Sequence, residues 1–510
     1  MAEDAPFALT EFLARSGEPG GHRPWPRVEL DRDQWLGLRD LLPTVDWSLL
    51  ALWSDETAVH AALRDETEGA IGLVSLSCPG GRFPSLGRVR PGAQRMERWV
   101  KDLTGLAPED AADDRPWLDH GAWTLEPPLA PAPMEKAGPR EPAPYAFLAA
   151  EGPGLHQIPV GPVHAGIIEP GHFRFTANGE TVVRLEERLG YVHKGTQWLM
   201  RGRTPAEAAR LAARISGDST VAHGLAFARA VEAALGAEAP PRAIWLRALM
   251  GEMERIANHL GDVGAICNDA SFALIHAECG YLRERMLQAA QLGFGHRLMM
   301  DRVVPGGVAS DLAEPGRAAL AALIPELRRA FERVVRIYDG KASLLDRTVG
   351  TGVTLPALVH RFAAGGYVGR AAGRTVDIRL SPGYPPYGDL DFEVPALPEG
   401  DVNARVWIRI REIEQSLRLV EQILMRLPEG PILAPLPHAS GEGSAMVEGF
   451  RGDIFTWVRL DNAGRIAACW PRDPSWLQWP LLEAAIEGNI VADFPLCNKS
   501  VNGSYSGHDL

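Results

Sequence analysis

Titratable side chains gather in one short stretch of the sequence. Glu169 lies between His164 and His172 in the segment GPVHAGIIEPGHFR. A partly buried carboxyl group tends to have a raised pKa, which suits it to relaying protons. The three residues are therefore a candidate proton-transfer cluster. The alternative is a loop turned by Pro170 and Gly171, whose polar groups only satisfy the backbone.

The cysteines are few and scattered. No two of them form a Cys-x-x-Cys pair, and they are Cys78, Cys267, Cys279, Cys469 and Cys497. So few thiols, in a chain whose N-terminus has no secretory signal pattern, predict a reducing cytoplasmic compartment. Cys267 and Cys279 are expected to behave as small buried hydrophobic residues.

Composition and charge exclude several classes of function. Asp and Glu outnumber Lys and Arg by 65 to 52, which gives a formal net charge of -13. Binding to nucleic acid, which depends on neutralising phosphates, is therefore not expected. No run of apolar residues approaches the roughly 18 that would span a bilayer. Contact with a membrane is expected to come through partner subunits.

A proline-rich stretch divides the chain. Residues 126–154 contain EPPLAPAPMEKAGPREPAP, whose prolines can neither continue a helix nor donate to a sheet ladder. We predict a small α/β domain at 1–125, a linker at 126–154 and a large domain at 155–510. In the small domain, Trp47–Trp53 and Ala70–Leu76 are expected to form short buried strands.

Helical periodicity dominates after the linker. Thr204 and Glu207 form a capping-box pattern with proline at the first helical position. Longer apolar repeats begin at Pro241 and at about Val406, and the second ends before Pro428. These patterns predict core helices of one bundle. The expected fold class is α+β, with a large domain that is mainly α-helical and has short β-strands at its start.

Three motifs carry a resemblance to a known family. They are GPVH at 161–164, EPGHFR at 169–174 and YVHKG at 191–195. The segment resembles the opening of the large subunit of formate-hydrogenlyase-type, membrane-bound nickel-iron hydrogenase. PRAIWLRALMGEMERIANHLGDVG, VVPGGVASDL, RTVGTGV and FEVP follow in that family's order. Similar landmarks occur in the 49-kDa-type subunit of complex I, and RPGAQRMERWVKDLTGLAPEDAADDRPWLDHG resembles the 30-kDa-type domain of complex I that is fused ahead of the hydrogenase large subunit.

The chain departs from these hydrogenases at the metal ligands. The hydrogenases bind nickel and iron through two Cys-x-x-Cys pairs. The resemblance places Ser216, Ser219, Ser504 and Gly507 at the positions of those four cysteines. Serine hydroxyls stay protonated near neutral pH and are poor ligands for a low-valent nickel-iron pair. The resemblance thus implies a member that binds no metal. Its serines are expected either to line a polar pocket or to pack as small residues and cap backbone groups.

Two further residues match the family's site. His223 would face the active site, or it would be a buried histidine satisfied by a backbone carbonyl. Arg451 matches an arginine that leans over the metals. Here we expect it to form a salt bridge with Asp453 or Asp509, the alternative being an anion or a carbonyl oxygen.

The resemblance to complex I suggests a quinone as an alternative ligand. Their quinone site uses a histidine of the first loop and a tyrosine that faces the first cysteine pair. His164 and His172 are candidates for the histidine, but no tyrosine occurs between Arg214 and Phe227. An ordinary quinone site is therefore not expected from the sequence.

The resemblance implies a peripheral subunit on the cytoplasmic side of the cell membrane. The chain would bind no cofactor itself and would take electrons from a 4Fe-4S cluster in a small iron-sulfur partner subunit. Antiporter-like membrane subunits would lie below it. The alternatives are a quinone-site subunit of the NADH:quinone oxidoreductase type, and a structural subunit that only couples conformation between its partners.

Overall fold

The computed structural model describes residues 7–119, 121, 123–130, 134–135 and 144–510. Residues 131–133 and 136–143 of the predicted linker lie outside this range, and the predicted domain boundaries remain predictions. The strands are β1 (His22–Arg23), β2 (Arg27–Leu30), β3 (Trp47–Ser54), β4 (Ala58–Asp65), β5 (Ile71–Ser77), β6 (Arg82–Pro84), β7 (Ala107–Glu109), β8 (Leu125–Glu126), β9 (Met134–Glu135), β10 (Leu155–Val160), β11 (His172–Asn178), β12 (Thr181–Arg188), β13 (Val303–Val304), β14 (Gly307–Val308), β15 (Gly441–Glu448), β16 (Asp453–Leu460) and β17 (Ile466–Arg472).

The helices of the described residues lie mostly after residue 195. They are α1 (Leu9–Ser16), α2 (Arg32–Leu41), α3 (Ala93–Thr104), α4 (Thr196–Met200), α5 (Pro205–Ala212), α6 (Thr220–Leu235), α7 (Pro241–Asp269), α8 (Ala273–Phe294), α9 (Glu314–Asp339), α10 (Ala342–Thr348), α11 (Pro356–Phe362), α12 (Gly366–Arg370), α13 (Val402–Arg426), α14 (Ser475–Ala485), α15 (Phe494–Val501) and α16 (Tyr505–Asp509). Together with the small sheets, they confirm the α+β class.

The first sheet has the strand order β2-β5-β4-β3. β2 runs parallel to β5, and the other two pairs are antiparallel. The two strands predicted from the sequence are confirmed as β3 and β5, and both are almost wholly buried. Helix α3 packs against β3.

The helical bundle is built around α7, which packs against α8 and α13. The capping box of α5 is confirmed, because the Thr204 side chain accepts from the Glu207 amide and the Glu207 side chain accepts from the Thr204 amide. Helix α7 begins at Pro241, as predicted. Helix α13 begins four residues before the predicted start, because the Asp401 carboxylate accepts from the Ala404 amide at 2.7 Å and caps the helix there.

Two further sheets frame the bundle. β10, β11 and β12 form an antiparallel meander, and residues 161–171 connect its first two strands. The other sheet has the order β1-β15-β16-β17, in which β1 pairs in parallel with β15. The N-terminal segment thus belongs to the same sheet as residues 441–472. Within the described residues, no helix combines the length and the apolar composition needed to cross a bilayer.

Candidate functional site

Two loops far apart in sequence meet at the centre of the site. Residues 216–219 form the turn between α5 and α6, and Ser504 caps the N-terminus of α16. The Ser216 and Ser504 hydroxyl oxygens lie 2.8 Å apart, and both side chains are buried. Ser504 Oγ also accepts from the Gly507 amide at 2.9 Å. The two serines therefore contact each other, and Ser504 also caps a backbone group.

A directed hydrogen-bond chain leads from these serines to Asp218. Ser216 Oγ donates to Asp218 Oδ1 at 2.8 Å. Since a hydroxyl has one proton, Ser504 is then the donor in its contact with Ser216. The chain therefore runs from the Gly507 amide through two hydroxyls to a carboxylate.

Arg451 holds that carboxylate in place. Its Nη1 and Nη2 atoms lie 2.7 and 2.5 Å from the two Asp218 oxygens, and its Nε donates to the Asn502 carbonyl at 2.6 Å. The predicted salt bridge is confirmed, but the predicted partners Asp453 and Asp509 are wrong. Asp453 pairs with Arg472 instead. Burial favours the neutral form of Asp218, but the adjacent guanidinium outweighs burial and lowers the pKa of Asp218 below its usual value.

His223 and Asp473 form a second buried polar contact in this site. Its Nε2 lies 2.9 Å from Asp473 Oδ2, so the expected backbone carbonyl is wrong as the partner of that nitrogen. Asp473 Oδ1 accepts from the Ser475 amide at 2.8 Å. The Ser475 hydroxyl accepts from the Ser504 amide at 2.8 Å, which joins the histidine pair to the serine pair.

The fourth cysteine position has no space for a side chain. A Cβ atom built on Gly507 would lie 2.7 Å from the Asp473 carboxyl carbon and from its Oδ2, and 2.9 Å from Ser504 Oγ. Real Cβ contacts essentially never fall below 3.0 Å, so a cysteine here would displace Asp473. The Asp473 carboxylate and the Ser504 hydroxyl fill this volume.

The residues of the site do not fit a nickel-iron centre. The two serine hydroxyls are committed to each other and to Asp218. All the cysteines are buried and unpaired, and Cys497 lies against Gly352. In the part of the chain that the structure describes, no cluster of three or more His, Cys, Asp or Glu side chains could hold a metal ion. No thiolate is available to replace the missing ligands.

The loop at 161–171 contacts α16. Glu169 Oε2 accepts from the Ser506 amide at 3.1 Å, and His164 Nε2 lies 3.0 Å from the Tyr505 hydroxyl. Burial lowers the pKa of His164 below its usual value. His172 lies apart from this pair: its Nδ1 faces the Gly161 carbonyl at 3.2 Å and its ring packs on Phe147. The structure thus brings together two of the three residues predicted as a cluster.

Lys194 joins the loops that carry the site. Its ammonium group donates to the Ile215 carbonyl at 2.9 Å and to the Ser506 carbonyl at 3.2 Å. Burial lowers the pKa of Lys194, and the carboxylates of Glu169, Asp509 and Asp473 oppose that shift. Lys194 therefore places a positive charge beside the backbone of Ser506.

Sequence reasoning missed Asp218, Asp473, Lys194 and Tyr505. Asp218 and Lys194 fall inside motifs that the sequence singled out, so their position was a usable signal. Tyr505 also falls inside such a motif, between Ser504 and Gly507, whereas Asp473 had no such signal, because its partner His223 lies 250 residues away in the chain.

Further buried carboxyl groups lie in the interior of the protein next to the site. The Glu254 carboxylate accepts from the Val221 and Ala222 amides at 2.7 and 3.1 Å, at the N-terminus of α6. Burial raises its pKa to about 8, although those amides oppose the shift. The next residue, Arg255, lies 3.7 Å from the Glu412 carboxylate. Glu412 also accepts from Arg370 at 2.6 Å and lies 2.7 Å from His259 Nε2.

Comparisons with known proteins agree with the fold and motifs. The family model described as the 49 Kd subunit of respiratory-chain NADH dehydrogenase matches residues 273–441, and the model described as nickel-dependent hydrogenase matches residues 194–261. Formate hydrogenlyase subunit 5 of Escherichia coli (strain K12) is 30% identical over 84% of this chain and 77% of its own length. The carbon monoxide-induced hydrogenase of Rhodospirillum rubrum is 31% identical over 68% of this chain and 97% of its own length.

Relatives also include complex I subunits and a solved respiratory complex. A subunit of the NADH-quinone oxidoreductase of Dehalococcoides mccartyi (strain ATCC BAA-2266 / KCTC 15142 / 195) is 30% identical over 66% of this chain and 92% of its own length. A chain from the membrane-bound sulfane sulfur reductase, an archaeal respiratory membrane complex, aligns with a TM-score of 0.66 and 26% identity, covering 70% of this chain and 99% of that one. The chain therefore belongs to the large-subunit family that includes formate hydrogenlyase subunit 5 and its counterpart in NADH-quinone oxidoreductase.

Proposed function

We propose that the chain is the large subunit of a membrane-associated oxidoreductase complex and that it moves protons through its buried polar network without a nickel-iron centre. Family membership carries the coarser part, a subunit of such a complex. The finer part rests on one observation: the two serines that replace metal ligands form a hydrogen-bond chain ending on the Asp218–Arg451 ion pair.

The chemistry of this chain suits proton movement. Each hydroxyl both donates and accepts, so a proton can pass along Ser504 and Ser216 to the Asp218 carboxylate. The loop that carries His164 and Glu169 contacts α16 immediately after Ser504. Asp218 therefore lies at one end of the serine pair, and His164 and Glu169 lie on the side of Ser504, where they contact Tyr505 and Ser506.

Electrons would reach the edge of this protein from outside it. In the proposal, the electrons come from a 4Fe-4S cluster in a small iron-sulfur partner subunit. The molecule that accepts the electrons does not bind to a metal of this chain. Antiporter-like membrane subunits would bind on the membrane side, with the chain on the cytoplasmic face. The names of the relatives, which include a membrane-bound hydrogenase subunit and subunits of a quinone oxidoreductase, support this setting.

The metal-free part of the proposal is tested on the complex purified through a tag on this chain. We expect elemental analysis to find well below one nickel per chain, and no hydrogen evolution from reduced viologen. Nickel near one per chain would overturn the proposal.

The proton-transfer part is tested by reconstituting the complex in vesicles that contain a pH-sensitive dye. Reduced viologen supplies electrons and a soluble short-chain quinone accepts them. Ser216→Ala and Ser504→Ala should lower proton movement per electron, because each removes one link of the chain. Ser310→Ala removes a hydroxyl elsewhere and should leave the ratio unchanged. Unchanged ratios in both site variants would contradict proton movement through the serines.

A second candidate function, quinone binding, has an observation in its favour. Although no tyrosine occupies the position used by the complex I subunits, Tyr505 supplies a hydroxyl 3.0 Å from His164 Nε2. A donor pair of this kind could hold the carbonyl oxygen of a quinone. Exposed apolar side chains lie beside it, since Val163 and Ile167 are 82% and 99% exposed.

Quinone binding is tested by titrating the complex with a soluble short-chain quinone and measuring its Kd. If the pair holds the quinone, Tyr505→Phe should weaken binding roughly tenfold, as expected for one lost hydrogen bond to a ligand. Tyr281→Phe, at an exposed tyrosine on α8, is the control. Equal affinity for all three proteins would eliminate the candidate.

A further inference from the structure

A cavity of about 420 Å³ lies where the N-terminal segment meets the helical bundle. Pro24 and Trp25 form one wall, and α6, α7, β15 and the Tyr384–Pro385 turn form the others. The cavity shares no residue with the serine site. Its volume falls in the range typical of sites for small organic ligands.

One arginine that lines this cavity has a charge without a counter-ion. Arg229 Nη1 donates to the Met446 carbonyl at 2.7 Å, and its guanidinium lies 4.4 Å from the centre of the Tyr384 ring. Among the described residues, no carboxylate forms an ion pair with it. Burial lowers its pKa and nearby Arg247 adds to that shift, while Tyr384 and Glu232 oppose the shift without outweighing burial.

The Glu232 carboxylate, which also lines the cavity, already has hydrogen-bond partners. Glu232 accepts from Arg247 at 3.0 and 2.5 Å and from the Gly306 amide at 2.7 Å. Glu238, also on the wall, is exposed to solvent. The inner part of the cavity therefore keeps the positive charge of Arg229 uncancelled.

A second polar group of the cavity wall is unsatisfied. Ser444 is 1% exposed, and its hydroxyl has no hydrogen-bond partner. Buried hydroxyls are nearly always bonded, so an orphan on a cavity wall indicates a missing partner. The remaining wall is mainly apolar, with Leu225, Ile244 and Ala248 among its residues.

We propose that this cavity binds a small amphipathic monocarboxylate, whose carboxylate meets Arg229 and the Ser444 hydroxyl and whose hydrocarbon part lies against the apolar wall. A single guanidinium balances one negative charge, and Glu232 disfavours a dianion. The apolar wall favours an alkyl or aryl acid over inorganic phosphate.

The proposal is tested by calorimetric titration of the full-length chain, purified with its partner subunits. The probes are hexanoate, octanoate, 1-hexanol and inorganic phosphate. We expect hexanoate to bind with a Kd on the order of 1 mM, and each added methylene to tighten binding roughly threefold. Hexanol and phosphate should bind at least about tenfold more weakly.

Variants test the charge of Arg229 and the volume of the cavity separately. Arg229→Gln should weaken octanoate binding roughly tenfold or more, because it removes a charge-assisted contact. Ala233→Phe keeps the arginine but fills the cavity, so it should also abolish binding in a protein that remains folded. Arg317→Gln is the matched control, since Arg317 is another half-buried arginine that donates to a carbonyl, that of Leu424.

Three results would overturn the proposal. Phosphate that binds as tightly as octanoate would indicate a general anion site. Hexanol that binds as tightly as hexanoate would show that Arg229 contributes nothing. Octanoate binding that survives both Arg229→Gln and Ala233→Phe would place the ligand elsewhere.

Discussion

At positions 216 and 504, serine and cysteine side chains would make different interactions. A thiolate is an anion that a metal can share, whereas a hydroxyl needs hydrogen-bond partners once it is buried. Ser216 and Ser504 find those partners in each other and in Asp218. These serines therefore form a satisfied polar network at positions where the related hydrogenases have metal ligands.

Gly507 gives a direct test of the space at the fourth cysteine position. Gly507→Ala would place a Cβ atom 2.7 Å from the Asp473 carboxylate, so the carboxylate or α16 must move. We expect a loss of about 1–3 kcal/mol in the free energy of unfolding, the usual effect of overpacking. The measurement is urea denaturation of the purified chain.

Gly217→Ala is the control for this substitution. Its Cβ would have no atom within 4 Å, so it should change stability by less than about 0.5 kcal/mol. Equal effects at the two glycines would show that position 507 has room for a cysteine.

The Asp218–Arg451 pair should behave as one unit. Arg451 is 4% exposed but the Asp218 side chain is 37% exposed, so Arg451→Gln leaves a carboxylate that water partly solvates and should cost about 1–3 kcal/mol. Asp218→Asn together with Arg451→Gln should cost about 1–3 kcal/mol less than the sum of the single changes. Denaturation of the four proteins measures this coupling. Arg333→Gln, which breaks an exposed pair with Glu278, should cost less than about 1 kcal/mol.

At the scale of elements, the N-terminus of α6 combines a helix end with a buried carboxyl group. Its first amides would be unsatisfied without Glu254, which accepts from Val221 and Ala222. Burial nevertheless raises the pKa of Glu254 from 4.5 to about 8. The carboxyl group therefore retains its proton in the native state at a pH where the unfolded chain has released it.

This shift predicts a pH dependence with a definite sign. Between about pH 4.5 and 8 the native state holds the extra proton, so raising the pH favours unfolding. Glu254→Gln has no proton to lose and should gain stability relative to the natural protein as the pH rises, by up to a few kcal/mol. Urea midpoints at pH 5, 6.5 and 8 measure the difference. Glu180→Gln changes an exposed carboxylate, and its urea midpoints should vary with pH as those of the natural protein do. The same pH dependence in Glu254→Gln and the natural protein would refute the pKa shift of Glu254.

The sequence predicts the elements of this fold better than their contacts. The capping box at Thr204 and the proline at 241 are local signals, and the structure confirms both helices. The start of α13 was placed late because the apolar repeat carries no trace of the Asp401 cap. Local patterns specify where a helix runs, and capping atoms specify where it begins.

Contacts between distant segments are what local patterns cannot give. The sequence identified Arg451 and His223 but assigned them the wrong partners. Their actual partners are Asp218 and Asp473, which lie 233 and 250 residues away in the chain. The packing of α6 against β15 and β16 contributes to bringing such segments into one site.

At the scale of the whole molecule, the N-terminal part and the sheet that contains β16 and β17 share an aromatic interface. Trp99 of α3 packs edge-on against Trp470 of β17 with ring centres 4.3 Å apart, and Trp53 lies 5.3 Å from Phe455. Arg472 also donates to the Leu50 carbonyl at 2.9 Å. These side chains are almost wholly buried, so separation of the two parts would expose a large apolar surface.

The interface predicts that the chain can be assembled from two pieces. Residues 1–130 and 144–510, co-expressed as separate chains, should copurify, because apolar burial rather than the intervening peptide holds them together. Residues 144–510 expressed alone should aggregate, since Phe455 and Trp470 would then face water. Trp99→Ser in the smaller piece should reduce copurification. Trp198→Ser in the larger piece changes a tryptophan that is 46% exposed and should not. If the larger piece were soluble and monomeric alone, the interface would contribute little to its stability, and the two parts would be independent domains.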